Sequence, residues 1–304
     1  MIRGTEDTRY AFANGIVRAR EARLLTRSHF DRLIAGSLTD ISAILSDSPY
    51  AAHKDVRAGL EAESIGIYEF FKKYCQTPTA QNIVDWPEQI HNLKVRLKQG
   101  SKDLMFRQEM SEIEEWPEII HEIERFAVDK DPFILSTNLD KILCKYLYEI
   151  SVFAPFFTNY FLLFFDLENI RSFFRARQFE KSKEIFAQVF IEYGTLKREI
   201  FVDNLLSPYD VLGKVFFVTP YSDIIEKGSL YIEEHHSFLR LERLCDEMKL
   251  EFLKQARKLT FGIEPLFSFY EFKKTEIKKL RQILWGKINE VIIDDLKESI
   301  PDVW

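Results

Sequence analysis

Two octapeptides hold the residues best suited to chemistry: Trp-Pro-Glu-Gln-Ile-His-Asn-Leu at 86–93 and Trp-Pro-Glu-Ile-Ile-His-Glu-Ile at 116–123. Each sets a carboxylate and an imidazole three residues apart, Glu88 with His91 and Glu118 with His121. On a helix that spacing puts both groups on one face. Two such helices, joined by two further glutamates, hold a pair of iron ions in ferritin-like bundles. A di-iron carboxylate protein is therefore the alternative reading. The elements that must carry the pairs argue against it. Proline is favoured in the first turn of a helix, and an early glutamate suits the positive end of the helix dipole. Trp-Pro-Glu then reads as a helix start used twice, whereas bundle ligands sit mid-helix. No metal and no cofactor is expected.

The other polar clusters are weaker. His235 and His236 in Glu-Glu-His-His (233–236) are adjacent, do not share a helix face, and read as a solvated patch. Asp294-Asp295 has the look of an acidic metal motif without the second acidic cluster that such motifs need. Neither a glycine-rich phosphate loop nor a G-x-S-x-G elbow is present. Cys75, Cys144 and Cys245 are far apart and odd in number, which disfavours a disulfide frame or a cysteine zinc site and fits a reducing compartment. No catalytic residue is expected.

In composition, 46% hydrophobic and 30% charged residues describe a globular chain. Its net charge of −6 disfavours a nucleic-acid partner. The opening MIRGTEDTRY has no apolar signal-peptide core. Residues 152–167, VFAPFFTNYFLLFFDL, are nearly all apolar, but Pro155 and Asn159 interrupt a run already short for a bilayer. They read as a buried helix, so any membrane role is peripheral.

Helix formers and helical apolar spacing run through the whole chain, and strand signals are weak, so the fold class is all-α. Ser48-Pro49, Thr77-Pro78, Asp131-Pro132, Ser207-Pro208, Thr219-Pro220 and Glu264-Pro265 mark helix boundaries. At 304 residues two or three sub-domains are the default. Three nonapeptides overlay without gaps: FANGIVRAR (12–20), NIRSFFRAR (169–177) and KLRQILWGK (279–287). Each carries an apolar pair, then a small residue (Ala19, Ala176, Gly286), and closes on a cation (Arg20, Arg177, Lys287). The small residue admits a neighbouring helix and the cation stands beside that contact. Three helical units suit the length, with divisions at 1–130, 131–222 and 223–304.

Several of these blocks carry a family resemblance. RYAFANGIVRAREARLLTRSHFDRLI (9–34) is similar to the opening of the C subunits of archaeal and bacterial V-type rotary ATPases, a family whose eukaryotic members are designated d. LDKILCKYLYEI (139–150) resembles the helix that opens the family's second unit. DLENIRSFFRAR (166–177), followed by Gly194-Thr195-Leu196, resembles its Asp-x-x-Asn…Arg and Gly-x-Leu pair, and KTEIKKLRQILWGK (274–287) its C-terminal helix. Residues 60–130 find no counterpart, Ile16 stands where the family commonly has Arg, and no Gly follows Arg177.

The resemblance implies three similar helical domains arranged as a funnel with pseudo-threefold symmetry. It implies a non-catalytic rotor component, peripheral on the cytoplasmic side of the membrane. One side of the funnel would accept the D and F subunits of the central stalk; the other would rest on the membrane ring of hairpin (c/K/L-type) subunits, passing torque for proton or sodium transport. Arg18, Arg20, Arg171, Arg175, Arg177 and Arg281 are the partner-binding candidates, because guanidinium suits carboxylate pairing. On the helical wheel Arg177 falls on the apolar side, with Arg171 and Arg175 off it. The competing reading has each arginine bonded within the fold. A generic helical-repeat adaptor shares the all-α class and is separated from the rotor reading by the resemblance alone.

Overall fold

The structure, a computed structural model, describes residues 4–53, 55–99 and 112–302. Among these residues the regular elements are all helices: α1 (Ala11–Glu21), α2 (Arg27–Ala35), α3 (Ile41–Ile44), α4 (Val56–Tyr74), α5 (Pro78–Gln99), α6 (Pro117–Asp129), α7 (Pro132–Ser151) and α8 (Pro155–Ala176). They continue with α9 (Ser182–Val189), α10 (Arg198–Val202), α11 (Tyr209–Val215), α12 (Ser222–His235), α13 (Leu239–Lys254), α14 (Glu264–Ile288) and α15 (Ile293–Glu298). The chain forms two compact units, one of residues 1–76 with 208–304 and one of residues 77–207. The boundaries at 130 and 222 fall within these units, at the α6–α7 junction and at the start of α12.

Prolines open the helices where the sequence places them. Pro78 begins α5, Pro132 begins α7, and Pro265 lies in the first turn of α14. At α7 the Asp131 carboxylate accepts hydrogen bonds from the Phe133 and Ile134 amides at 2.9 and 3.1 Å, satisfying two donors that the first turn leaves without helical partners. Pro87 is the exception and corrects the reading of Trp-Pro-Glu as a start used twice. It lies inside α5, whose buried stripe of Ala80, Ile83, Val84, Ile90 and Leu93 continues across it. Proline costs a helix one amide donor; burial of that stripe and of Trp86 keeps the helix continuous. At Trp116-Pro117 the expected start holds, since Pro117 opens α6.

In the 77–207 unit the organising element is α8. Residues 152–167 enter it at Pro155, and Phe156, Phe157, Phe161, Phe165, Phe173 and Phe174 are all buried. Aromatic residues surround it: Phe173 meets Phe186 and Phe201 with ring centroids 6.0 and 5.5 Å apart, a spacing typical of attractive ring pairs. Among the described residues no helix is long and apolar enough to cross a membrane.

In the other unit α14 has the central place. It packs against α1, α2, α4 and α13 and buries polar groups on several faces: Glu264, Lys273, Glu276 and Lys279 are each under 5% exposed. Its Gly286 answers the small-residue position of the repeat. A Cβ there would stand 2.4 Å from Leu296 Cδ2 of α15, so any larger residue must turn the Leu296 side chain aside. Ala176 is likewise buried, whereas Ala19 is exposed.

Candidate functional site

The repeated nonapeptides resolve into a device built from two side chains eleven residues apart. On α8 the Asp166 carboxylate accepts the Leu196 amide at 2.9 Å and the Thr195 hydroxyl. Three turns on, Arg177 donates to the Asn204 and Ser207 carbonyls at 2.9 and 2.6 Å. On α14 the Glu276 carboxylate accepts the Leu25 amide at 2.6 Å, and Lys287 donates to the Ile34 carbonyl at 2.8 Å and to the Gly36 carbonyl. Both pairs therefore grip a short helix by its two ends, α10 in one unit and α2 in the other. The carboxylate takes an amide just before the start of the short helix and the cation takes carbonyls at or just beyond its end, an order that also agrees in sign with the helix dipole. Eleven residues is close to three full turns, so both groups share a face. Gly194 is part of the first grip, because a Cβ there would lie 2.2 Å from Asp166 Oδ1.

The first nonapeptide departs from the pattern. Its closing cation, Arg20, lies exposed over the Phe70 ring at 4.0 Å. Arg18 and Asn14 instead hold the segment leading into α14. Arg18 donates to the Ala256 and Leu259 carbonyls at 3.2 and 2.9 Å, and Asn14 donates to those of Thr260 and Gly262 at 3.1 and 2.9 Å.

These contacts sort the six candidate arginines. Arg18 and Arg177 hold their own chain together. Arg171 is 8% exposed and pairs with Glu168 at 2.6 Å. It lies within the core and not off it, as the helical wheel places it, because α8 is covered on nearly all sides. Arg20, Arg175 and Arg281 are exposed; Arg281 reaches Glu61 at 3.1 Å, with both side chains about half in solvent. Sequence reasoning misses Glu276, Lys273, Lys279 and Asn14, although the eleven-residue carboxylate-to-cation spacing is present in two of the three blocks.

The Trp-Pro-Glu segments meet in the 77–207 unit through their tryptophans. Trp86 and Trp116 pack edge to face at 4.8 Å, and Trp116 stacks on Tyr146 at 3.7 Å. Glu118 accepts from Lys145 Nζ at 2.8 Å and from the Tyr146 hydroxyl at 2.9 Å. Among the described residues no three His, Cys, Asp or Glu side chains converge as a metal site. The hydrogen bonds from Lys145, from the residue's own amide and from the Tyr146 hydroxyl hold the Glu118 carboxyl down to about 2. A depressed carboxylate contributes stability that is present above its unfolded value and lost as pH falls through its folded one. Glu118→Gln should therefore be less stable than the parent at pH 7, with the difference shrinking between pH 4.5 and about 2. Both partners are 39% exposed, so the loss at pH 7 is kept below about 1 kcal/mol. Urea titrations at several pH values check it.

The remaining clusters have structural settings. His235 packs on the Tyr231 ring at 4.2 Å, and His236 ends α12 in the left-handed conformation (φ 52°). Asp294 and Asp295 stand in the first turn of α15, with Lys297 3.5 Å from Asp294. All three cysteines are buried and unpaired with one another.

Comparison with known proteins agrees with the repeat-bearing blocks. The sequence profile of the ATP synthase (C/AC39) subunit matches residues 106–298, more than half of the chain. The match takes in 106–130, which find no counterpart by motif alone. The C subunit of the V-type sodium ATPase of Enterococcus hirae is 22% identical, over 97% of this chain and 99% of that protein. The C subunit of the A-type ATP synthase of Methanosphaera stadtmanae is 24% identical, over 71% of this chain and 59% of that protein.

Proposed function

The chain belongs to the ATP synthase (C/AC39) subunit family, and from that premise we propose that it is the rotor collar of a V/A-type ATPase, joining the central stalk to the membrane ring. The end-to-end match to a protein named as the C subunit of a V-type ATPase carries this reading. On it, the collar performs no chemistry. Its three similar lobes form a funnel that takes the D and F shaft subunits on one side and sits on the ring of hairpin subunits on the other. It works at the cytoplasmic face, and it passes torque for proton or sodium transport. The two end-to-end grips suit that work, because they fix short helices to long ones by charge-assisted hydrogen bonds at both ends, which resist sliding as well as separation.

Co-purification tests the reading. A tagged chain should bring down the D and F subunits and the ring, and its deletion should leave ATP hydrolysis in the soluble head uncoupled from ion movement. Recovery of the chain without any of these partners overturns it.

The arginines provide a finer test. The exposed Arg20, Arg175 and Arg281 are the ones a shaft carboxylate can reach. Reversing all three to Glu should weaken shaft binding roughly tenfold or more, about 1.4 kcal/mol per decade, with melting little changed. Arg177→Ala should instead lower stability by about 1–3 kcal/mol, since two carbonyls lose a charged donor. Titration of the purified shaft, alongside thermal melts, separates the outcomes. Unaltered shaft affinity in the folded triple variant rejects the partner role of those three arginines.

A further inference from the structure

Within the 77–207 unit, one face of α7 is left uncovered between α6 and the α9 segment. Three adjoining hollows of about 290, 580 and 220 Å³ lie along it, and Lys141 lines all of them. Ile134, Asn138 and Ile142 continue the floor. Pro117 and His121 of α6 form one wall. Ala187 and Gln188 of α9, with Phe190 and Tyr193 beyond it, form the other.

The charges around this groove are unequal. Glu118 is held by Lys145 and Tyr146. Glu122 is held by Arg125 at 2.8 Å and by Asn138 at 3.0 Å, and Glu192 faces Arg198 at 3.6 Å. Among the described residues none gives Lys141 a hydrogen bond or an ion pair. Burial makes its ammonium easier to deprotonate than an ordinary lysine, an effect that Glu192 opposes and Arg198 reinforces. With the two carboxylates of α6 held by hydrogen bonds and Glu192 turned mostly to solvent, this half-buried cation gains most from a carboxylate brought against it from outside. The floor runs along α7 for about three helical turns, from Ile134 to Lys145, and is apolar at intervals, which is the form of a groove that takes the apolar face of another helix. A basic helix or an apolar one lacks the charge that complements Lys141.

We propose that this groove docks an amphipathic helix of a protein partner that presents an acidic side chain to Lys141. The inference stands on the groove alone and holds or fails independently of the rotor reading. Fluorescein-labelled peptides of about 16 residues, long enough to cover the groove at 1.5 Å per residue, test it by anisotropy on the purified chain. They are built as amphipathic helices with a leucine stripe and a central Glu, Gln or Lys. The Glu peptide should bind about tenfold more tightly than the Gln peptide, and the Lys peptide most weakly. Lys141→Met, which keeps the apolar stem, should abolish the Glu-over-Gln preference. Gln188→Trp should block every peptide by filling the groove, with melting temperatures matched to the parent. On the unaltered chain, saturating Glu peptide should slow acylation of Lys141 by an N-hydroxysuccinimide ester, read by mass spectrometry. Equal affinity for the Glu and Gln peptides, no binding of any peptide, or acylation indifferent to the peptide overturns the proposal.

Discussion

Replacing Glu276 by alanine should lower the unfolding free energy of the unit built around α14 by about 3–5 kcal/mol, the cost of breaking a buried charge pair from one side. The carboxylate is fully buried. It accepts from Leu25 N at 2.6 Å, from the Tyr50 hydroxyl at 2.6 Å and from Lys273 Nζ at 2.7 Å. Without it, an ammonium on a residue that is itself 4% exposed keeps Glu63 at 3.1 Å and the Tyr50 ring, while an amide and a hydroxyl lose their acceptor. Unsatisfied buried donors add to the loss. Glu276→Gln should cost less, because its side-chain carbonyl still accepts although the charge is gone. Hydrogen exchange locates the effect: amides of α2 should open first, since Glu276 grips the start of that helix. A change below about 1 kcal/mol in Glu276→Ala, well short of the cost of an unpaired buried charge, or exchange unaltered at residues 25–36, would mean that the carboxylate is not what fastens α2.

Lys279→Ala is expected to be comparably damaging, again about 3–5 kcal/mol. Lys279 Nζ lies 3.0 Å from Asp246 and donates to the Ser299 carbonyl at 2.8 Å, with lysine and aspartate 3% and 6% exposed. Alanine leaves the Asp246 charge buried without its cation, and removes the tie between α14 and the end of α15. The informative control replaces both partners by apolar residues of similar volume. Lys279→Met with Asp246→Leu should recover most of the lost stability, because desolvating an ion pair offsets much of its attraction and apolar packing does not carry that cost. Chemical unfolding of the two single variants and the double variant closes the cycle. If the double variant is as unstable as Lys279→Ala, packing around the site and not the unpaired charge sets the loss.

Much of this architecture is legible along the chain. Six proline steps mark turns or helix starts because proline restricts its own φ and the residue before it, a constraint that acts locally. The class follows from helical spacing of apolar residues. The positions of the repeat's closing cations are readable as well, but not what they bind: Arg177 and Lys287 take carbonyls of the neighbouring chain segment, whereas Arg20 lies over the Phe70 ring. Pro87 misleads because the local signal for a helix start is overruled by the buried stripe on either side of it. Arg171 is misplaced by the wheel because the wheel assumes one apolar face, whereas α8 is packed nearly all round.

What the sequence determined by itself was the all-helical class, the proline-marked boundaries, the apolar run that becomes the buried first half of α8, and the resemblance to a family whose blocks recur in order. Tertiary structure alone decided which polar groups the helices would bury and against what. Glu276 meets partners 226 and 251 residues away, and Asn14 meets carbonyls 246 and 248 residues away, so no local window contains both halves of either contact. A buried charge is tolerable only when its partners arrive from elsewhere in the chain, and that arrival is a property of the folded body.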